Sequence, residues 1–303
     1  MRFAEEVVVD EFLPTFRSMI AEALRERGLT QNQVATTLGI SQSAVSKYAH
    51  GEVTRRPAVE HDERVRRAVE RLADGLATDE MSQVEVLGEA QALIRRLEDR
   101  DLICTIHERE MPELAGRGCD FCIHGPDSRL RANEQVLSSV RRGLRRLENT
   151  SGFATLIPNV GANLVECLPR ATTIDDVAAV PGRIFDVKGR ATVPGPPEFG
   201  VSEHVASVVL AARRAGSDAR AAVNIRYDPR YVDILAELGY AVVEFPGEED
   251  VASAITTAIE ARPTIRVLSQ TGGFGIEPTI YLLATDAEDA AAMVRELLTN
   301  VGD

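Results

Sequence analysis

With 303 residues, 44% of them hydrophobic and 27% charged, the chain has enough material for two or three packed domains. No apolar run reaches about 18 residues, and the start MRFAEEVVVDEFLPTF carries early acids where a secretory signal has basic residues. Neither a membrane span nor secretion is expected on these grounds, and a cytoplasmic location is expected.

A net charge of −13 opposes approach to DNA phosphates. Only Lys47 and Lys188 among the 34 basic residues are lysines, tryptophan is absent and acids abound, a composition suited to a high-salt, halophilic cytoplasm. In such a medium the Debye length falls to a few ångströms, so local charge outweighs net charge. Between Leu29 and Arg56 a single acid, Glu52, stands against Lys47, Arg55 and Arg56.

The first predicted helix runs from Phe12 to Arg27, with Phe12, Phe16, Met19, Ile20, Ala23 and Leu24 on one face and Gly28 as its stop. Thr30 is suited to cap a short helix Gln31 to Leu38, buried through Val34, Ala35 and Leu38. Gly39 supplies a turn, Ile40 plugs the core, and Ser41 caps a third helix, Gln42 to Ala49. Val45 and Tyr48 or Ala49 point inward, which leaves Gln42, Ser43, Ser46 and Lys47 outward. That is the arrangement of a helix-turn-helix reading the major groove of a double-stranded operator.

The stretch LTQNQVATTLGISQSAVSKYAHG resembles the phage-repressor (Cro/C1, XRE-like) helix-turn-helix class. The resemblance implies base contacts from Gln42, Ser43 and Lys47 and phosphate contacts from Gln31 and His50. Glutamine can pair adenine in a bidentate way and lysine can reach guanine or phosphate.

Two helices with Arg–Glu pairs and the apolar stripes Val65, Val69, Leu72 and then Val84, Leu87, Ala90, Leu93, Ile94, Leu97 follow as a connector. They are suited either to a homodimer contact or to packing within one chain. In CTIHEREMPELAGRGCDFCIHG, the pairs Cys104/His107 and Cys119/Cys122 have the spacing of a tetrahedral zinc site, with His124 as an alternative ligand. Buried cysteines beside a turn are the competing reading, and Cys167 stands apart as a core residue.

Beyond this, short β-rich runs (Thr155–Ile157, Gly182–Asp186, Ala191–Val193, Ala221–Asn224, Ala241–Phe245, Ile265–Ser269, Ile280–Leu283) alternate with helices (Glu203–Arg214, Arg230–Leu238, 248–261, Ala287–Leu298). The expected fold is therefore an α/β C-terminal domain, helices layered on a mixed sheet, behind an all-α helix-turn-helix domain. The expected divisions are residues 1–75, 76–130 and 131–303. Loops at strand ends would place Asn163, Arg183, Pro197, Phe199, Gly200, His204, Asn224, Arg226, Gly272, Gly273 and Gly275 around a small phosphorylated ligand. Arginines, glycine amides and a helix N-terminus starting near Ser202 are all suited to a phosphate. No phosphate-loop lysine motif or dinucleotide fingerprint occurs.

The segments LIPNVGANLVECLPRATTIDDVAAVPGRI, GPPEFGVSEHVASVVLAA, AAVNIRYD and GGFGIEPTIYLL, in that order from Phe153 to about Val301, closely resemble the ThiN-type thiamine-phosphate synthase domain. The resemblance implies that Arg183 and His204 match the family's catalytic pair, which serves to join a pyrimidine diphosphate to a thiazole phosphate. With the helix-turn-helix, the architecture resembles the archaeal ThiR-type regulators. It departs from enzymatic members at Gln270, Thr271 and Ile276, where they carry charge, and it lacks their insert after VVEFPGEED. These departures favour a non-catalytic sensor of thiamine phosphate or thiamine, acting as a repressor of thiamine-biosynthesis genes. An active thiamine-phosphate synthase is the alternative.

Overall fold

The computed structural model describes residues 1–49, 51–247 and 250–301, which divide into two compact units, Met1–Arg131 and Ala132–Asp303. The first unit is entirely helical. Its elements are α1 (Ala4–Val7), a π-helical turn (Val8–Phe12), α2 (Leu13–Glu26), α3 (Gln31–Leu38), α4 (Gln42–Ala49), α5 (Pro57–Glu60), α6 (Glu63–Ala77), α7 (Gln83–Glu98), α8 (Leu102–Glu110) and α9 (Phe121–His124). Thr30 caps α3 by accepting from the Gln33 amide while the Gln33 side chain accepts from the Thr30 amide. Gly39 ends that helix at φ 64°, a left-handed conformation that glycine adopts without a Cβ penalty.

One core runs through this unit. Phe12, Phe16, Leu24, Val34 and Val45 share it with Val65, Val69 and Leu72 of α6, with Leu93, Ile94 and Leu97 of α7, and with Ile103 of α8. The apolar stripes of the connector thus pack on the helix-turn-helix itself. Val84 and Leu87, at the start of α7, remain exposed.

The second unit contains most of α10 (Arg129–Glu148) and a seven-stranded sheet of order β5-β2-β1-β6-β9-β8-β7, together with a separate hairpin β3-β4. The strands are β1 (Leu164–Cys167), β2 (Val177–Ala179), β3 (Phe185–Val187), β4 (Arg190–Thr192), β5 (Glu198–Phe199), β6 (Ala221–Arg226), β7 (Ala241–Phe245), β8 (Ile265–Gln270) and β9 (Thr279–Ala284). Among the described residues only the β7–β8 pair is parallel, so the sheet is mixed. The helices are α11 (Glu203–Arg214), α12 (Pro229–Glu237), α13 (Val251–Ala261) and α14 (Ala287–Val301).

Strand alternation sends side chains into two cores. Val223, Ile225, Ile280 and Leu282 meet Val140, Leu144, Val294 and Leu297 of α10 and α14 on one face. Ala222, Leu268, Tyr281 and Leu283 meet Val205, Val208, Val209, Ile255 and Ile259 of α11 and α13 on the other. The domain is a three-layer α/β/α sandwich with its central strands buried on both faces.

Three local expectations are corrected. Thr155–Ile157 is no strand: Gly152 at φ 88° turns the chain into a 3-10 helix, Phe153–Leu156, that buries Phe153 and Leu156. Leu164–Cys167, absent from the expected strands, is strand β1, and its run of buried residues hides the two-residue period. Val177–Ala179 and Glu198–Phe199 are likewise strands, joined to β1 at one edge of the sheet.

Candidate functional site

On the first unit, Gln31, Gln42, Ser43 and Lys47 are exposed and Ser46 is half-buried, while Val45 is buried beneath them. His50 lies outside the described residues. The charge expected from Arg55 and Arg56 is largely spent inside the protein. Arg55 donates to Ser18 Oγ (3.0 Å), Glu60 (3.1 Å) and Glu22 (2.8 Å), and Arg56 pairs with buried Glu11. Lys47 is the cation left on α4.

On the second unit, a cavity of about 1090 Å³ opens where β6 and β8 end, β9 begins, and α11 and α13 start. Both helices direct their first turns at it, and Ser202 and Asp250 at the two helix starts belong to the wall. A helix N-terminus carries partial positive charge and free amides, so two of them favour an anionic ligand. Asp250 already accepts from the Ser253 amide, whereas Ser202 makes no side-chain cap.

The cavity brings together Asn163, Arg183, His204, Asn224 and Gly275 from the predicted set. Pro197, Phe199, Gly200, Arg226, Gly272 and Gly273 lie outside the lining. Pro197 is buried, Phe199 packs on the core from edge strand β5, and the Gly200 amide donates to the Val177 carbonyl. Arg226 donates to the Ile157 carbonyl, 3.1 Å away. Gly272 supports the wall: its carbonyl accepts from the Gly247 amide at 3.0 Å, so two loops cross backbone to backbone. A Cβ on Gly247 would fall 2.3 Å from the Gly272 carbonyl carbon, which explains glycine there.

Arg183 stands at the rim and donates to the Val160 carbonyl. Glu277 fixes that carbonyl's loop by accepting from the Asn159 and Val160 amides at 2.8 and 2.9 Å. His204 meets the solvent of the cavity, yet its Nε2 lies 2.5 Å from the hydroxyl of fully buried Tyr281. Burial of the ring, and then the charge of Arg183, push its pKa below the ordinary value, so the imidazole is neutral near pH 7.

Among the wall residues that sequence reasoning missed are Tyr281, Glu203, Asp250 and Glu277. Tyr281 carried a signal, a polar tip inside the apolar run IYLLA of its strand. The three carboxylates matter because they give the cavity acids although Gln270 and Ile276 in its wall are uncharged.

The expected zinc ligands are not assembled as a set. His107 is buried and its Nε2 is 2.8 Å from the Arg2 carbonyl. Cys104, Cys119 and Cys122 lie within one another's electrostatic reach, and burial followed by the Glu98 charge pushes the Cys122 thiol up to about 11. Among the described residues no group of three or more His, Cys, Asp or Glu is arranged to hold a metal. Asp120, between the cysteines, caps α10 by accepting from Ser128 Oγ at 2.5 Å and from the Arg129 amide at 2.9 Å.

A mixed α/β/α domain with an anion-favouring cavity at two helix N-termini, on the same chain as a helix-turn-helix, defines a class of two-part proteins. Comparison with known families specifies it. Residues 139–296 match the model of the thiamine-phosphate synthase ThiN family and residues 20–61 match a helix-turn-helix model; the chain belongs to the ThiN family and carries a helix-turn-helix domain. It is 30% identical over 174 residues to the thiamine-phosphate synthase ThiN of Methanothermobacter thermautotrophicus, a match covering 54% of this chain and 92% of that protein. It is 34% identical over 148 residues to the bifunctional thiamine biosynthesis protein ThiDN of Methanocaldococcus jannaschii, covering 46% of this chain and 35% of that one. The crystal structure of the C-terminal domain of a phosphomethylpyrimidine kinase superposes with a TM-score of 0.51 at 27% identity, covering 55% of this chain and 99% of that one. The helix-turn-helix points to DNA binding, and the second domain relates the protein to thiamine biosynthesis. No helix among the described residues is long and apolar enough to cross a membrane.

Proposed function

We propose that the protein is a transcriptional regulator, a homodimeric repressor of thiamine-biosynthesis genes, whose ThiN domain binds thiamine phosphate or thiamine without turning substrates over. The observation that carries this reading is the coexistence, on one chain, of a helix-turn-helix with Gln42, Ser43 and Lys47 exposed on α4 and a ThiN cavity. A neutral His204 and Arg183 at the rim supply a hydrogen bond and a charge to one phosphate, which is enough for recognition. The ligand must bind two arrangements of the dimer unequally for DNA affinity to change.

The synthase reading has its own support in Glu203 and Asp250, since carboxylates at the wall are suited to magnesium and hence to a diphosphate. Incubating the protein with the pyrimidine diphosphate and the thiazole phosphate separates the two. The regulator reading predicts no thiamine phosphate beyond background, with thiamine phosphate itself binding in calorimetry. Sustained turnover abolished by His204→Ala would replace it with the synthase reading.

A further inference from the structure

We propose that Tyr281 is a positioning residue that fixes the tautomer of His204, so that the imidazole presents an Nδ1–H donor to the cavity. The argument begins with the strand. Tyr281 sits on β9 opposite Asn224 of β6 and Leu268 of β8, in the middle of the sheet and with no solvent exposure. Its hydroxyl has two neighbours of hydrogen-bonding type, His204 Nε2 at 2.5 Å and Gln270 Oε1 at 3.5 Å.

A phenol has one proton to give. The reverse arrangement, with Nε2–H donating to the phenol oxygen, would leave the phenol proton only the Gln270 contact at the far limit of a hydrogen bond, so the proton is assigned to His204. Burial raises the Tyr281 pKa, which keeps that proton in place throughout the physiological range. An imidazole nitrogen that accepts a hydrogen bond carries no proton of its own, and a neutral imidazole then has its proton on the other nitrogen. No described residue bonds His204 Nδ1 within the chain, and His204 is part of the cavity wall.

Two consequences follow for the site. The nitrogen able to act as a base is engaged with Tyr281, and the nitrogen left for a ligand is a donor. A donor beside Arg183 selects an acceptor-only group such as a phosphate oxygen. Tautomer control does not depend on what binds; the link to phosphate selection rests on the function proposed above.

The test uses the full chain at neutral pH, with imidazole nitrogens read by 15N–13C NMR and His204→Asn used to assign the signal. In the wild type, Nδ1 is expected to show the shift of a protonated nitrogen and Nε2 that of a bare one. In Tyr281→Phe, which keeps the ring in the core, the balance is expected to move toward Nε2–H. An Nε2–H imidazole in the wild type, or an unchanged tautomer in Tyr281→Phe, would overturn the proposal. Calorimetry with thiamine phosphate adds a second readout, with an expected rise in Kd of about two- to tenfold in the variant, the equivalent of one net hydrogen bond. Tyr281→Leu, which removes ring and hydroxyl together, serves as a packing control by thermal melting. A ligand that fails to bind the wild type would sink the proposed function and leave the tautomer result standing.

Discussion

Asn163 and Asn224 hold each other at the base of the cavity: Asn224 Oδ1 accepts from the Asn163 amide at 2.7 Å. The rest of both side chains is engaged too. Asn163 Nδ2 donates to the carbonyls of Val180 and Gly182, its Oδ1 accepts from the Val180 amide, and Asn224 Nδ2 donates to the Gly161 carbonyl. Both residues are buried, and the pair fastens the loop that carries Arg183 to strand β6. Asn163→Ala would leave the buried N–H and C=O of Val180 without these partners. It is expected to cost about 2–4 kcal/mol in urea unfolding, since each buried unsatisfied group costs about 1–3 kcal/mol. A loss under about 0.5 kcal/mol would show that water replaces the amide.

The crossing of Gly247 and Gly272 predicts a steric phenotype. Gly247→Ala places a methyl against backbone that cannot yield as a side chain would. Destabilisation of about 1–3 kcal/mol is expected from overpacking, together with weaker thiamine phosphate binding because the loop borders the cavity. Unchanged melting and unchanged binding would contradict the observed crossing.

Arg55 and Lys47 are both basic, yet they are expected to fail differently. Arg55→Ala removes bonds to Ser18, Glu22 and Glu60 and is expected to cost about 1–3 kcal/mol of stability. Lys47→Ala is expected to leave melting unchanged and to weaken DNA binding, with the salt slope of affinity falling by about one if the lysine meets a phosphate. Measuring melting and salt-dependent DNA affinity on both variants separates the roles.

His204 gives a pH dependence with a definite sign. Its folded pKa is lowered by burial and by Arg183, so the unfolded chain takes up the proton first. Stability from the neutral imidazole is present above the unfolded value, about 6.5, and is lost as pH falls through the lowered value. The melting temperature of the wild type is expected to drop over that window by more than that of His204→Asn. Parallel profiles would contradict the assignment.

For the cysteines, zinc binding would require the raised thiols of Cys104 and Cys122 to ionise, and would require His107 to bind through Nδ1 if its Nε2–H keeps the Arg2 carbonyl. Elemental analysis of protein purified without chelator is expected to find less than about half an equivalent of zinc. One equivalent per chain would show that the spacing of Cys104, His107, Cys119 and Cys122 outweighs the cost of ionising the thiols.

The sequence was most legible where a local rule determined the structure. Helices Gln31–Leu38, Gln42–Ala49 and Glu203–Arg214 and strand Ala241–Phe245 have the expected bounds, because caps, turns and apolar period act within a few residues. Strand β1 was hidden because burial on both faces erases alternation, and because buried Glu166 is tolerated through Arg220, Ser139 and the Ala287 amide, which are distant in sequence. In the site, Arg183 and His204 were visible through their loops and motifs. Tyr281, Glu203, Asp250 and Glu277 were not, since their place on the wall depends on strand register and on the crossing of loops. Asn163 and Asn224 were visible as site residues, but the closed hydrogen bonding that occupies them emerges only from the folded β1–β6 neighbourhood.

The most direct measurement is binding of the full-length protein to a promoter fragment of a thiamine-biosynthesis gene, in molar salt, with and without thiamine phosphate. The regulator account predicts specific binding through α4 whose affinity rises at least several-fold with the ligand, and it predicts that Arg183→Ala removes that rise. Specific binding with the same affinity in both conditions, or none in either, would contradict it.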